Sequence, residues 1–179
     1  MHNPVKNYKE IINVIEQKLK DQNKNKTPKI IAVSKTFKLD KILPLIEYGH
    51  LDYGENKVQE ALEKWSEIKK NNLDINLHLI GKLQTNKVKF AIGIFDYIHS
   101  LDSEKLAKKI ADEEIKQKKK IKLFIQVNIG DESQKSGVPK NQVKDFFIYC
   151  KKLNLNVIGL MCIPPINENP EQYFSEIKF

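Results

Sequence analysis

The sequence predicts an α/β fold built on a parallel sheet. Three observations carry this: short apolar runs alternate strictly with helix-length amphipathic stretches, no Pro/Gly/Ser-rich linker interrupts them, and no tandem repeat is visible. Strict alternation implies parallel strands, because each right-handed crossover returns the chain to start another strand in the same direction. A chain of 179 residues is long enough for one domain with a substantial core and short for two. A single domain over residues 1–179 is therefore expected.

An amphipathic leading helix is expected at about residues 5–20, from Val5 to Lys20. The first strand is Ile30-Ile31-Ala32-Val33-Ser34-Lys35-Thr36, which follows Thr27-Pro28 and is short and rich in β-branched residues, as a buried strand should be. A helix crosses Leu39 to Tyr48. His50 to Gly54 reads as the second strand and Lys57 to Lys70 as its helix; Asn76 to Gly81 is the third strand, followed by a short helix near Asn86 to Ala91. Tyr97 to Leu101 leads into a helix over Ser103 to Lys118, and Lys122 to Ile129 into one over Pro139 to Leu153. Asn156 to Ile163 is the sixth strand.

In a closed barrel and in a doubly wound sheet alike, ligands meet the carboxyl ends of parallel strands. Lys35, Gly54-Glu55-Asn56, Gly81 and Asn128 all fall there. Alternation in the first strand places Ile31, Val33 and Lys35 on one face, and burial of a lysine favours its neutral amine, the form nucleophilic toward a carbonyl. Lys35 is thus a candidate Schiff-base residue; the alternative is that it marks the strand exit and snorkels into water. The glycines either permit close backbone approach or punctuate loops. Asn56 could meet a polar ligand or cap the following helix, and Asn128 could do the same or close a local turn. His78 and Tyr53 lie in the third and second strands, where core packing is the expected role.

Charge and composition exclude several function classes. The 31 basic residues against 23 acidic give a net charge of +8. All of them are Lys, and Arg, the side chain suited to bidentate contact with phosphates and guanines, is absent. The lysines spread along helical stretches such as Lys105 to Lys109 and Lys116 to Lys120, where a solvated outer face explains them, so specific nucleic-acid binding is not expected. No apolar segment approaches the roughly 20 residues of a membrane span. Met1-His2-Asn3-Pro4-Val5-Lys6 is not followed by the apolar region of a secretory signal, so a cytoplasmic location is expected. Cys150 and Cys162 suggest buried, reduced thiols, with neither a disulfide framework nor a metal cluster.

Taken together, the motifs become specific. Ala32-Val33-Ser34-Lys35-Thr36, Tyr53-Gly54-Glu55-Asn56-Lys57-Val58-Gln59-Glu60, His78-Leu79-Ile80-Gly81-Lys82-Leu83-Gln84-Thr85-Asn86-Lys87, and Val127-Asn128-Ile129-Gly130-Asp131-Glu132 with Lys135-Ser136-Gly137 resemble, in that order, the pyridoxal phosphate homeostasis protein family. Gly159-Leu160-Met161-Cys162-Ile163-Pro164-Pro165 is similar to the family's next signature. The resemblance covers nearly all of the chain from the first strand to Pro165. It implies an alanine-racemase-like βα barrel of the TIM type that binds pyridoxal 5′-phosphate covalently. Lys35 stands at the position of the Schiff-base lysine, and Asn56, Gly81, Asn128 and Met161 at further cofactor-binding positions. The implied role is handling of the cofactor in vitamin B6 and amino-acid balance, with no established catalytic reaction and no catalytic residue or metal site.

Two departures from the family pattern qualify what the resemblance implies. Lys82 follows Gly81 where the family usually has proline. The sequence ends at Phe179, shortly after the sixth strand, so an incomplete barrel of about six of eight strands is expected, without the family's last two strands and their phosphate-binding motifs. Barrels of this type commonly need about 200 residues or more and often hold phosphate with the loops after strands seven and eight. A cofactor carrier outranks a pyridoxal-dependent amino-acid enzyme such as a racemase or decarboxylase. Such an enzyme needs groups that tune the pyridinium nitrogen, orient a substrate and move protons, and none is evident. A third reading is a nonfunctional or partner-completed barrel fragment whose exposed edges bind another chain.

Overall fold

Asn3 sets the start of the first helix: its side-chain oxygen accepts hydrogen bonds from the Val5 and Lys6 N–H groups at 3.1 Å, with Pro4 at the first helical position. The computed structural model describes residues 3–71, 74–130, 132 and 136–177. Its helices are α1 (Pro4–Asp21), α2 (Leu39–Glu47), α3 (Val58–Asn71), α4 (Val88–Ile94), α5 (Glu104–Gln117), α6 (Val143–Lys152) and α7 (Pro170–Glu176). The strands are β1 (Ala32–Val33), β2 (Asp52–Glu55), β3 (Asn76–Leu79), β4 (Tyr97–Leu101), β5 (Lys122–Asn128), β6 (Val138–Pro139) and β7 (Asn156–Met161). Every pairing is parallel, in the order β1-β2-β3-β4-β5-β7, and the short β6 pairs with the carboxyl end of β5. Six strands in βα order thus form an incomplete barrel, as the sequence predicts.

Strand side chains alternate between two faces, and contacts identify them. On β2, Tyr53 packs with its ring centre 4.8 Å from that of Trp65 of α3, and Glu55 accepts the Trp65 indole N–H at 2.9 Å. Asp52 and Gly54 therefore face the barrel interior. The outer face carries Leu77, Leu79, Ile98, Leu123 and Ile125, fully buried beneath the helices. Helix α3 meets it with Val58, Ala61 and Trp65, and α5 with Leu106, Ala107, Ile110 and Ala111, the spacing of one helical face. The interior differs from the branched aliphatic layers usual in βα barrels: Asp52, His78, Tyr97, His99 and Phe124 fill it, Tyr97 stacking on His78 and Phe124 on His99.

Several expectations are corrected. The first strand is regular only over Ala32–Val33 and is not the buried strand expected, Val33 being 47% exposed; Lys35 is exposed, as the strand-exit alternative has it. The cause is the edge: among the described residues β1 pairs only with β2, so water covers its other side. Helix α7 and strand β6 were not foreseen. The seven residues of α7 include none that is fully buried, and Tyr173 alone packs partly against the core, too little for an apolar period; β6 is two residues ending in proline. Lys119 and Lys120 do more than solvate a helix. Lys119 donates to the Phe95 carbonyl at 3.0 Å, and Lys120 to Glu114 and the Asn154 carbonyl at 2.8 and 2.6 Å, tying the end of α5 to its neighbours. Cys150 is a buried free thiol, but Cys162 is only half-buried. No described helix is long and apolar enough to cross a membrane.

Candidate functional site

At the carboxyl ends of the strands lies a cavity of about 650 Å³, within the range usual for small-molecule sites. Lys35, Asn56, Gly81, Asn128 and Met161, from five different strand ends, all line it. Lys82, His99, Gln126, Ser136 and Cys162 line it too.

Lys35 is exposed, but the backbone on both sides of it is fixed by α3 and β2. Ser34 is buried: its N–H donates to the Gly54 carbonyl at 2.9 Å and its hydroxyl to Glu55 Oε1 at 2.8 Å. The Ser34 carbonyl accepts from Lys64 Nζ at 2.8 Å. Thr36, in left-handed backbone at φ 67°, donates its N–H to Glu60 Oε1 at 2.7 Å. That bond, with Lys64 beside it, holds the Glu60 carboxyl below the usual range despite opposing desolvation. Glu55 is wholly buried, and its Oε1 also receives Lys64 Nζ and the Trp65 indole N–H, each at 2.9 Å. The acidic residues of Gly54-Glu55-Asn56-Lys57-Val58-Gln59-Glu60 thus act on the lysine's strand, not on the cavity. Nothing in the motif alone distinguishes those roles.

The other expected positions are placed as follows. A methyl built on Gly81 would overlap the Asn56 backbone, with Asn56 Cα at 2.8 Å, so this glycine lets two strand exits pass against each other. Asn56 lines the cavity and makes no side-chain hydrogen bond to the start of α3 among the described residues. Asn128 uses its amide locally: Nδ2 donates to the Glu132 carbonyl at 2.9 Å and Oδ1 accepts the Glu132 N–H at 3.2 Å. The local-turn alternative for this residue is the one realised, though Asn128 still borders the cavity. Asp131 and Lys135 of the same motif lie outside the described residues. Met161 ends β7 in register with Gln126. Exposed Lys82 borders both this cavity and an adjoining polar one of about 770 Å³. Tyr53 packs wholly in the core, away from the cavity.

The sequence reading missed a line of polar groups through the interior. Lys29 Nζ donates to Asp52 Oδ1 at 2.9 Å, His78 Nε2 lies 3.0 Å from the same oxygen, and His78 Nδ1 lies 3.0 Å from His99 Nε2. Burial alone would raise the Asp52 carboxyl, but the hydrogen bonds from Lys29 and His78 and the Lys29 charge outweigh it and hold the group below its ordinary range. Burial lowers His78, and burial with repulsion from His78 lowers His99 to about 4. Alternation in Tyr97-Ile98-His99 puts both rings on one face. Only the register, Gly54↔His78 and His78↔Tyr97, shows that this face meets Asp52 and the cavity.

The sequence profile described as "Alanine racemase, N-terminal domain" matches residues 11–179. The pyridoxal phosphate homeostasis protein of Aquifex aeolicus is 42% identical over 154 residues, which are 84% of this chain and 67% of that protein. The chain belongs to this family. Its counterpart from Haemophilus influenzae is 34% identical over 164 residues, covering 88% of this chain and 69% of that protein, so the chain spans about two thirds of the length of these relatives. Among solved structures, PipY of Synechococcus elongatus without PLP superposes with a TM-score of 0.75 at 31% identity, over 90% of this chain and 76% of PipY. PipY with PLP bound gives 0.74 at 29%, over 91% of this chain and 80% of PipY. An alanine racemase of Clostridium difficile shares the fold at 13% identity, with a TM-score of 0.65 over 90% of this chain and 45% of the racemase.

Proposed function

We propose that this chain binds pyridoxal 5′-phosphate in the strand-end cavity, with Lys35 as its covalent Schiff-base attachment, and serves as a non-catalytic cytoplasmic carrier in vitamin B6 homeostasis. The convergence of Lys35, Asn56, Gly81, Asn128 and Met161 on one cavity is the observation that supports this best. The donor set fits the cofactor. An exposed primary amine stands at the rim, Ile80 and Met161 offer apolar walls for a flat ring, and Gln126 and Asn56 offer amides. When bound, the cofactor supplies an electrophilic aldehyde on an electron-accepting ring. Lys35 supplies the nucleophile. Lys82 and Ser136, shared with the adjoining polar cavity, offer a cation and a hydroxyl to the phosphate, so the replacement of proline by Lys82 gives this chain a charge at that edge. Two free thiols accord with a reducing compartment.

Titration with pyridoxal 5′-phosphate tests the reading. The native chain is expected to develop the visible absorbance of a lysine-bound cofactor and Lys35→Ala to lose it, while amino acids added to the loaded protein remain unchanged. Equal absorbance in the variant would refute the site, and amino-acid turnover would refute the carrier role.

A further inference from the structure

We propose that His99 is a cofactor-contacting residue that accepts a hydrogen bond from the bound pyridoxal ring, its remaining nitrogen kept as a bare acceptor by a one-way chain of hydrogen bonds starting at Asp52. The inference rests on the reading of the cavity as a pyridoxal 5′-phosphate site.

The direction of the chain follows from its first member. Asp52, paired with the Lys29 ammonium at 2.9 Å, is a carboxylate and can only accept. The proton between Asp52 and His78 therefore sits on His78 Nε2. A neutral imidazole carries one N–H, which leaves His78 Nδ1 as an acceptor, so the bond to His99 must be donated by His99 Nε2. His99 Nδ1 is then without a proton, and it is the only ring nitrogen His99 has left to offer the cavity it lines.

The surroundings hold both rings neutral and in place. Tyr97 lies flat on His78 at 4.2 Å, and Phe124 lies flat on His99 at 4.4 Å. Of the charged or titratable groups facing the chain, Lys29 precedes β1 and bonds Asp52 on β2. Lys122 of β5 bonds the Tyr97 hydroxyl at 3.0 Å, and His50 bonds the Asp52 carbonyl at 2.8 Å. Asp96 acts on His78 from a greater distance. At the cavity end the titratable lining groups are Lys35 and Lys82 with Cys162, and no carboxylate lines the cavity among the described residues. Cations on that side oppose a charged His99. A buried acceptor favours a ligand that offers N–H or O–H, and an analogue lacking the donor leaves it unpaired. The pyridoxal ring carries such donors at its nitrogen and its phenol.

Nitrogen-15 NMR on the full chain with labelled histidine reads this directly, because the shifts report which nitrogen bears the proton. The chain has four histidines; His2→Asn, His50→Asn and His99→Phe each remove one set of signals, and the set left over is that of His78. At neutral pH, without cofactor, His78 and His99 are both expected to be protonated at Nε2 and bare at Nδ1. After pyridoxal 5′-phosphate loading, the His99 Nδ1 resonance is expected to move toward the hydrogen-bonded range while the pattern of His78 holds. A proton on His99 Nδ1, or a resonance that does not move in protein whose Lys35 is shown by peptide mapping to carry the cofactor, would overturn the proposal. Failure to load Lys35 at all would overturn the cavity reading and the contact with it. Independently, His99→Phe retains the ring against Phe124 and removes both nitrogens. It is expected to weaken cofactor binding about tenfold and shift the visible maximum, with Lys35 still labelled at saturation. Unchanged affinity and spectrum would overturn the contact.

Discussion

Lys35 takes its position from residues that never touch the cavity. Glu55 gathers the Ser34 hydroxyl, the Lys64 ammonium and the Trp65 indole on one buried oxygen, and Lys64 passes a further bond to the Ser34 carbonyl. Removing one partner of a buried ion pair strands the other, at a cost of about 3–5 kcal/mol. Glu55→Ala is therefore expected to lower unfolding free energy in urea by that order and to reduce labelling of Lys35 in the fraction that folds. Glu60→Ala releases only the Thr36 N–H and one of the contacts of Lys64, which keeps its bonds to Glu55 and the Ser34 carbonyl, and about 1 kcal/mol is expected in the same measurement. The lysine's strand-end location was legible from the apolar run before it. The choice between a buried lysine and an exposed strand exit was not, because exposure depends on which strands stand beside β1, and alternation along one strand carries no such information.

At the scale of elements, the repeated strand and helix units were readable because the longer helices bury an apolar face and the outer strand faces they cover are mostly apolar in turn. The interior was harder. Its residues are polar and aromatic, and their meaning depends on register, as with His78 standing beside Gly54 and Tyr97. Strand exits also lock together in ways a motif cannot show. Gly81 passes against Asn56, and Gly137, at φ 135°, lies where a methyl would sit 2.8 Å from the Val127 carbonyl carbon. Gly81→Ala is expected to force the two exits apart, lowering the urea midpoint and weakening cofactor binding together, by about 1–3 kcal/mol in stability. An unchanged midpoint would show that the exits can part without cost.

At the scale of the molecule, the described residues form an incomplete barrel of six main strands with a titratable interior, and that makes it sensitive to acid. Folding lowers His50, His78 and His99, the last from 6.5 to about 4. Between these values the unfolded chain binds a proton that folded His99 refuses, so stability is complete above about pH 6.5 and declines as pH falls toward 4. For His99 alone the loss is about 3 kcal/mol. Asp52, lowered in the folded state, acts in the same direction once pH drops through the carboxylate range. The urea midpoint is expected to fall between pH 7.5 and 4.5, and His99→Phe to reduce that difference. The central claim, that this fold presents one particular lysine to pyridoxal 5′-phosphate, is tested most directly by site mapping. The protein is mixed with limiting cofactor, reduced with borohydride, digested and analysed by mass spectrometry. The account predicts that the label concentrates on Lys35 among the 31 lysines; label spread over the surface lysines, with Lys35 no more modified than the rest, would contradict it.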